Sequence, residues 1–161
     1  MTEIICSGGN DVSDGDRVRI DHGGQPVIQR GALADVCVLI VDDNEDVRDM
    51  LQTYLEYTGA VAVPAASAEE AIFLFQRVRP HVVLTDIAMP VRDGHWLERE
   101  LRTLERTRPT RTPVVAMTAL SGRGSASAAV RTAFDGWLTK PLDLVEVGTV
   151  VARLARTRLA A

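Results

Sequence analysis

Cysteine is nearly missing from this chain of 161 residues, and its scarcity excludes two classes of protein at once. Cys6 lies in a polar leader and Cys37 inside an apolar run, so neither a disulfide framework nor a thiolate metal centre is suggested. Long apolar runs are lacking too, since none approaches the roughly 20 residues of a membrane-spanning helix. The start, Met-Thr-Glu-Ile-Ile-Cys, has no basic segment followed by an apolar stretch, so it does not read as a secretion signal. A soluble, cytoplasmic protein with no membrane partner is expected. Positive charge is not in excess: the formal net charge of -4 argues against a general nucleic-acid binder. Arg153, Arg156 and Arg158 do gather near the carboxyl terminus, where the negative end of a helix dipole favours them. His22, His81 and His95 show no pairing at metal-ligand spacing and stand beside no candidate nucleophile, so structural or solvated roles are expected.

What is present suffices for one domain of ordinary size and a short appendage, with 46% hydrophobic residues to supply a core. Residues 1–34, rich in Gly, Asp, Ser and Asn, are expected to form a mobile leader. Val18 and Ile20, then Val27 and Ile28 beyond a glycine turn, allow a small hairpin within it. From 35 to 161 the pattern is strand then helix, repeated five times, which predicts an α/β fold with helices on both faces of a parallel sheet.

Local signals set the element ends. Asn44 is a plausible N-cap for a first helix burying Val47, Leu51, Tyr54 and Leu55, with Gly59 ending it. Ser67 and Glu70 make a capping-box pattern, Pro80 stops the second helix, and Asp93 can cap a third carrying Leu97, Leu101 and Leu104. After the fourth strand, Val114 to Thr118, the segment Ser121-Gly122-Arg123-Gly124 is a weak helix start. It lacks the Gly-Lys-Ser/Thr ending of a phosphate loop. A fifth strand, Gly136 to Thr139, precedes Lys140-Pro141 and a last helix.

The chemistry gathers at the strand ends. The run Val82-Val83-Leu84-Thr85 delivers Asp86, the run from Val36 to Val41 ends in Asp42-Asp43, and the later strands end at Thr118 and near Lys140. In a parallel sheet these ends share one edge, where active sites form. Three carboxylates, a hydroxyl and an ammonium could meet there.

In these motifs, VLIVDDNEDVR, VVLTDIAMPVRDG, VVAMT and DGWLTKP, the chain resembles the receiver domain of bacterial two-component response regulators, over about Val36 to Arg158. The resemblance implies a doubly wound, five-stranded, flavodoxin-like sheet of order 2-1-3-4-5. It implies a phosphorylatable switch of the stand-alone, chemotaxis type. In such a switch Asp86 accepts a phosphoryl group from a histidine kinase or histidine phosphotransfer protein. Mg²⁺ would be held by Asp43, Asp86 and the backbone carbonyl of Ala88, with Asp42 acting mainly through water. Lys140, before a cis Pro141, would contact the phosphoryl oxygen. Thr118 would turn to bind it, and Trp137 would take the aromatic switch position. Trp137 departs from the usual tyrosine or phenylalanine, so a static packing role stays open beside the switch role. Ala88 and Leu120 are apolar at positions that flank the path of attacking water, which implies slow hydrolysis.

About twenty residues follow Lys140, enough for one helix, so output by contact with a downstream protein is expected, from a monomer or weak dimer. Three rivals remain. A receiver segment of a hybrid kinase fits the same motifs. An aspartyl-phosphate phosphatase would need a second aspartate as general acid where Ala88 stands. A non-phosphorylated scaffold would have no use for the pocket residues.

Overall fold

A computed structural model describes residues 18–20, 26–28, 30–119 and 132–159. Strands β1 (Val18–Ile20) and β2 (Pro26–Ile28) pair antiparallel, with Val18 opposite Ile28, which is the hairpin suggested by the alternating valines and isoleucines. The main sheet comprises β3 (Cys37–Val41), β4 (Val61–Ala65), β5 (Val82–Asp86), β6 (Val114–Thr118) and β7 (Gly136–Thr139). Its order is β4-β3-β5-β6-β7 with every pairing parallel. Numbered within the repeat, that is the expected order 2-1-3-4-5. Helices α1 (Glu45–Tyr57), α2 (Ala68–Val78), α3 (Gly94–Glu105) and α4 (Leu144–Leu159) cover its two faces.

Strands β3 and β5 are buried along their whole length, because a central parallel strand is covered on both faces. Alternation divides their side chains between two cores. Val38, Ile40, Leu84, Val115 and Met117 pack under α1 and α4 against Leu51, Leu55, Val147 and Val151. Leu39, Val41, Val83, Val114 and Ala116 pack under α2 and α3 against Phe75, Leu97 and Leu101. Each such buried Val, Leu, Ile or Phe side chain contributes about 1.5–3 kcal/mol. The outer strand β4 is only partly buried, Ala65 alone lying fully inside, and carries an exposed Pro64, which blunts a free sheet edge.

The caps form as the sequence predicts, with one shift. Asn44 Oδ1 accepts from the amides of Asp46 and Val47, and Asp93 Oδ1 accepts from Trp96 at 2.7 Å. Ser67 Oγ accepts from Glu70 N, but the Glu70 carboxylate reaches back one residue further, to the amide of Ala66. Arg79, in the left-handed region at φ 50°, ends α2 before Pro80.

The leader expected over residues 1–34 does not stop at the packing boundary. Ala32 and Leu33 are buried, Leu33 within the α1/α4 core, and the Leu33 amide donates to Thr58 O at 2.9 Å. Gly59, at φ 94°, permits this, since a Cβ there would lie 2.9 Å from the Cα of Gly31. The glycine-bearing helix start at 121–124 and Leu120 lie outside the described residues, as do Cys6 and His22.

Candidate functional site

Four of the expected polar groups converge at the carboxyl edge of the sheet. β3 ends one residue before Asp42, and β5 ends in Asp86, the two strands being hydrogen-bonded neighbours. Oxygens of Asp42, Asp43 and Asp86 all lie within 4.8 Å of one another. Lys140 follows β7, two strands away, yet its Nζ lies 2.7 Å from Asp42 Oδ2 and 3.4 Å from Asp86 Oδ1. The Lys140-Pro141 peptide is cis, as the resemblance implies.

The three carboxylates are not equivalent. Asp42 is fully buried and both of its oxygens are engaged, Oδ1 by the amide of Asn44 at 2.9 Å and Oδ2 by Lys140. Its backbone carbonyl accepts from Arg48 Nη1 as well. Asp43 is exposed at the mouth of the pocket. Asp86 is nearly buried, and it accepts from Lys140 and from the amide of Ala88.

Burial pushes the Asp86 carboxyl above the usual carboxylate range; Lys140 pulls it back, Asp42 pushes it up again, and the net direction is upward. For Lys140 burial opposes the charged form, but the contacts with Asp42 and then Asp86 outweigh it and its pKa is raised. Two upward shifts, one on an acid and one on a base, describe a pocket with more negative charge than its own ammonium neutralises. The donor set is all oxygen, open on the Asp43 side, and suits a hard divalent cation such as Mg²⁺, which retains several waters.

Thr118 closes β6, and its carbonyl accepts from the Lys140 amide at 2.7 Å, tying the two strand ends together. Trp137 is half-buried, its indole edge-on to Phe134 with centroids 5.3 Å apart. Phe134 in turn meets His95 at the start of α3. Of the other histidines, His81 is buried at the opposite end of the strands, where its Nδ1 accepts from the Cys37 amide at 2.9 Å. Both described histidines therefore have structural contacts and lie outside the acidic cluster.

Two supporting residues escape a reading by motif chemistry. Gly94 opens α3 directly over the end of β5, and a Cβ there would lie 2.5 Å from the carbonyl oxygen of Asp86. Arg48 anchors the Asp42 carbonyl from the second turn of α1. A further signal was available for Lys140, since it is the only lysine among 18 basic residues.

The match to known proteins is specific. Residues 38–152 fit the family model described as the response regulator receiver domain. The chain belongs to that family. An uncharacterized protein of Leptolyngbya boryana is 38% identical over 115 residues, covering 71% of this chain and 86% of its own. The regulatory protein AtoC of Escherichia coli is 40% identical over 116 residues, 72% of this chain but only 24% of AtoC. Among solved structures, the chemotaxis response regulator CheY4 of Vibrio cholerae superposes with a TM-score of 0.65 at 26% identity, covering 74% of this chain and 98% of that one. This receiver thus has the fold and family that its four motifs imply, and no helix among its described residues is long and apolar enough to cross a membrane.

Proposed function

We propose that this receiver is a phosphorylatable switch in which Asp86 takes a phosphoryl group from a histidine kinase or histidine phosphotransfer protein. The observation that carries the reading is the meeting of Asp42, Asp43, Asp86 and Lys140 in one pocket from three separate strand ends. A surface acidic pair at a helix start would not need a buried aspartate and a lysine from 98 residues away.

An Asp86 carboxylate oxygen attacks phosphorus, the new P–O bond forming as the donor's P–N bond breaks. Asp86 is positioned for this by the β5 strand beneath it and by the Ala88 amide. Asp43, Asp86 and the Ala88 carbonyl would hold Mg²⁺, which supplies the positive charge that lets one anion approach another. Asp42, with both oxygens engaged, fits the expected role through water. Lys140, already 3.4 Å from Asp86, is placed to receive the transferred oxygens. Thr118, the last residue of β6, and Trp137, within β7, are the candidates for passing the change outward.

The acyl phosphate then biases an equilibrium between two conformations, and output is by contact with a downstream protein. The role is regulatory rather than catalytic, because Ala88 stands where a phosphatase of the aspartyl-phosphate type would need its general acid.

Incubation with phosphoramidate and Mg²⁺, followed by intact mass, tests this. One added phosphoryl group is expected on the wild type and none on Asp86→Asn. Equal labelling of the variant would remove Asp86 from the role.

A further inference from the structure

Phenylalanine is ordinarily buried, and Phe75 and Phe134 follow that rule. Phe73 does not: it lies 53% exposed on the outer side of α2, where the Arg77 guanidinium sits over its ring at 4.1 Å. The core contacts of α2 come instead from Ala68, Ala71, Phe75 and Val78, so the fold gains little from Phe73. The next helix repeats the arrangement. Trp96, half-buried on α3, has the Arg92 guanidinium over its ring at 5.0 Å. Helices α2 and α3 pack side by side on one face of the sheet, which therefore carries two aromatic rings, each backed by an arginine.

The same layer is basic. Arg79 ends α2, and Arg99 and Arg106, seven residues and about 10 Å apart, lie on the side of α3 that carries Trp96. These three are exposed, and none of them, nor Arg77 or Arg92, pairs with a carboxylate among the described residues. The acids of the two helices are mostly withdrawn. Glu98 and Glu105 are buried against Arg102, the Glu70 carboxylate is taken by the Ala66 amide, and Asp93 caps α3. Glu69 is exposed but sits in the first turn of α2, at the opposite end from Arg77 and Arg79, and Glu100 is half-buried. The formal net charge of -4 hides this face, because carboxylates gather at the pocket and the start of α1 instead.

We infer that the α2/α3 face binds single-stranded nucleic acid, with bases stacked on Phe73 and Trp96 and phosphates held by the surrounding arginines. Unpaired bases stack on any exposed aromatic ring, whereas the bases of a duplex are already stacked on each other. Guanidinium groups suit the site because they pair with phosphate through two hydrogen bonds and stack on rings as well. A protein partner is less well matched, since its interface needs an apolar core and no aliphatic side chain of α2 or α3 is exposed. Interfaces with nucleic acid are polar and positively charged, as this face is. The inference does not depend on the role proposed for Asp86.

The test titrates the full chain into fluorescein-labelled single-stranded RNA and DNA of mixed sequence, about 12 nucleotides long, and into the matching DNA duplex. Anisotropy is read at about 50 mM and 200 mM salt. Either single strand should bind more tightly than the duplex, and its affinity should fall roughly as the second power of salt, as about three neutralised phosphates require. Phe73→Ala should weaken binding about tenfold with the salt dependence unchanged, because it removes a stacking ring and no charge. Arg99→Glu combined with Arg106→Glu should weaken binding and flatten the salt dependence. Trp96 emission, read in a Trp137→Phe background, should be quenched by the bound strand. Thermal melting checks that the variants, all altered at exposed positions, remain folded. Equal binding of duplex and single strand, or wild-type binding by folded Phe73→Ala, would mean attraction to charge alone and would overturn the inference. Absence of single-strand binding at the lower salt would overturn it too, including where phosphatidylserine vesicles bind in its place.

Discussion

Lys140 Nζ lies closer to Asp42 than to Asp86, at 2.7 Å against 3.4 Å. The ammonium is thus bound first to the most deeply buried carboxylate and only leans on Asp86. One positive charge serves two buried negative ones, with Asp43 a third within reach. The pocket is under electrostatic strain, and its consequences can be measured.

Asp86→Asn should stabilise the metal-free protein at neutral pH by on the order of 1 kcal/mol, because it removes a carboxylate whose ionised form the fold disfavours. The Asp86 pKa is raised in the folded state, so its destabilising contribution is complete above that raised value and disappears below the ordinary carboxylate range. Denaturant unfolding in metal-free buffer should therefore show the advantage of the variant narrowing as the solution is made mildly acidic. A gap that widens in acid would contradict the assignment.

Lys140→Ala should destabilise the protein by about 1–3 kcal/mol, since it leaves the buried Asp42 charge without its partner. The raised Lys140 pKa means that the pair's stabilisation is complete below the ordinary lysine range and is lost as pH climbs through the folded value. Thermal unfolding of wild type and variant should converge in strongly alkaline buffer. The variant should still take some phosphate from phosphoramidate, because the nucleophile remains.

Asp43→Ala should weaken Mg²⁺ binding at least tenfold, whereas Asp42→Ala should weaken it less and cost more stability. The exposed Asp43 can turn wholly to a cation, while both oxygens of Asp42 are engaged by Asn44 and Lys140. Calorimetric titration with Mg²⁺ gives the ranking, and the reverse order would exchange the two roles.

Gly94→Ala should cost about 2 kcal/mol and slow phosphorylation together. The added methyl would meet the Asp86 carbonyl at 2.5 Å, so either α3 or Asp86 must move. Wild-type labelling in a destabilised variant would mean that α3 yields and the pocket does not.

The phosphorylated protein should be long-lived, and Ala88→Asn combined with Leu120→Glu should shorten its lifetime by about tenfold. Neither apolar residue can hold a water in line with phosphorus, and both replacements can. Decay of labelled protein after donor removal decides it: an unchanged lifetime in the double variant would end the water-path argument.

Much of this protein is legible in its sequence because parallel strands bury both faces. Valine-rich runs such as Val82-Val83-Leu84-Thr85 name the central strands, and the polar residue that ends each run must then sit at the shared edge. Short-range caps such as Asn44 and Asp93 are equally readable, since donor and acceptor lie within three residues. Long-range pairings are not, because nothing local announces them. Arg102 in α3 binds Glu98 and Glu105 on its own helix and also Asp135, 33 residues on, and that fork joins α3 to the segment before β7. The burial of Leu33 likewise depends on α1 and β4 turning at Gly59, far along the chain. Sequence alone determined which residues could carry charge to the pocket; only the tertiary structure decided that Lys140 binds Asp42 first and that Asp43 stays open, because those outcomes depend on which strand ends the sheet order brings together.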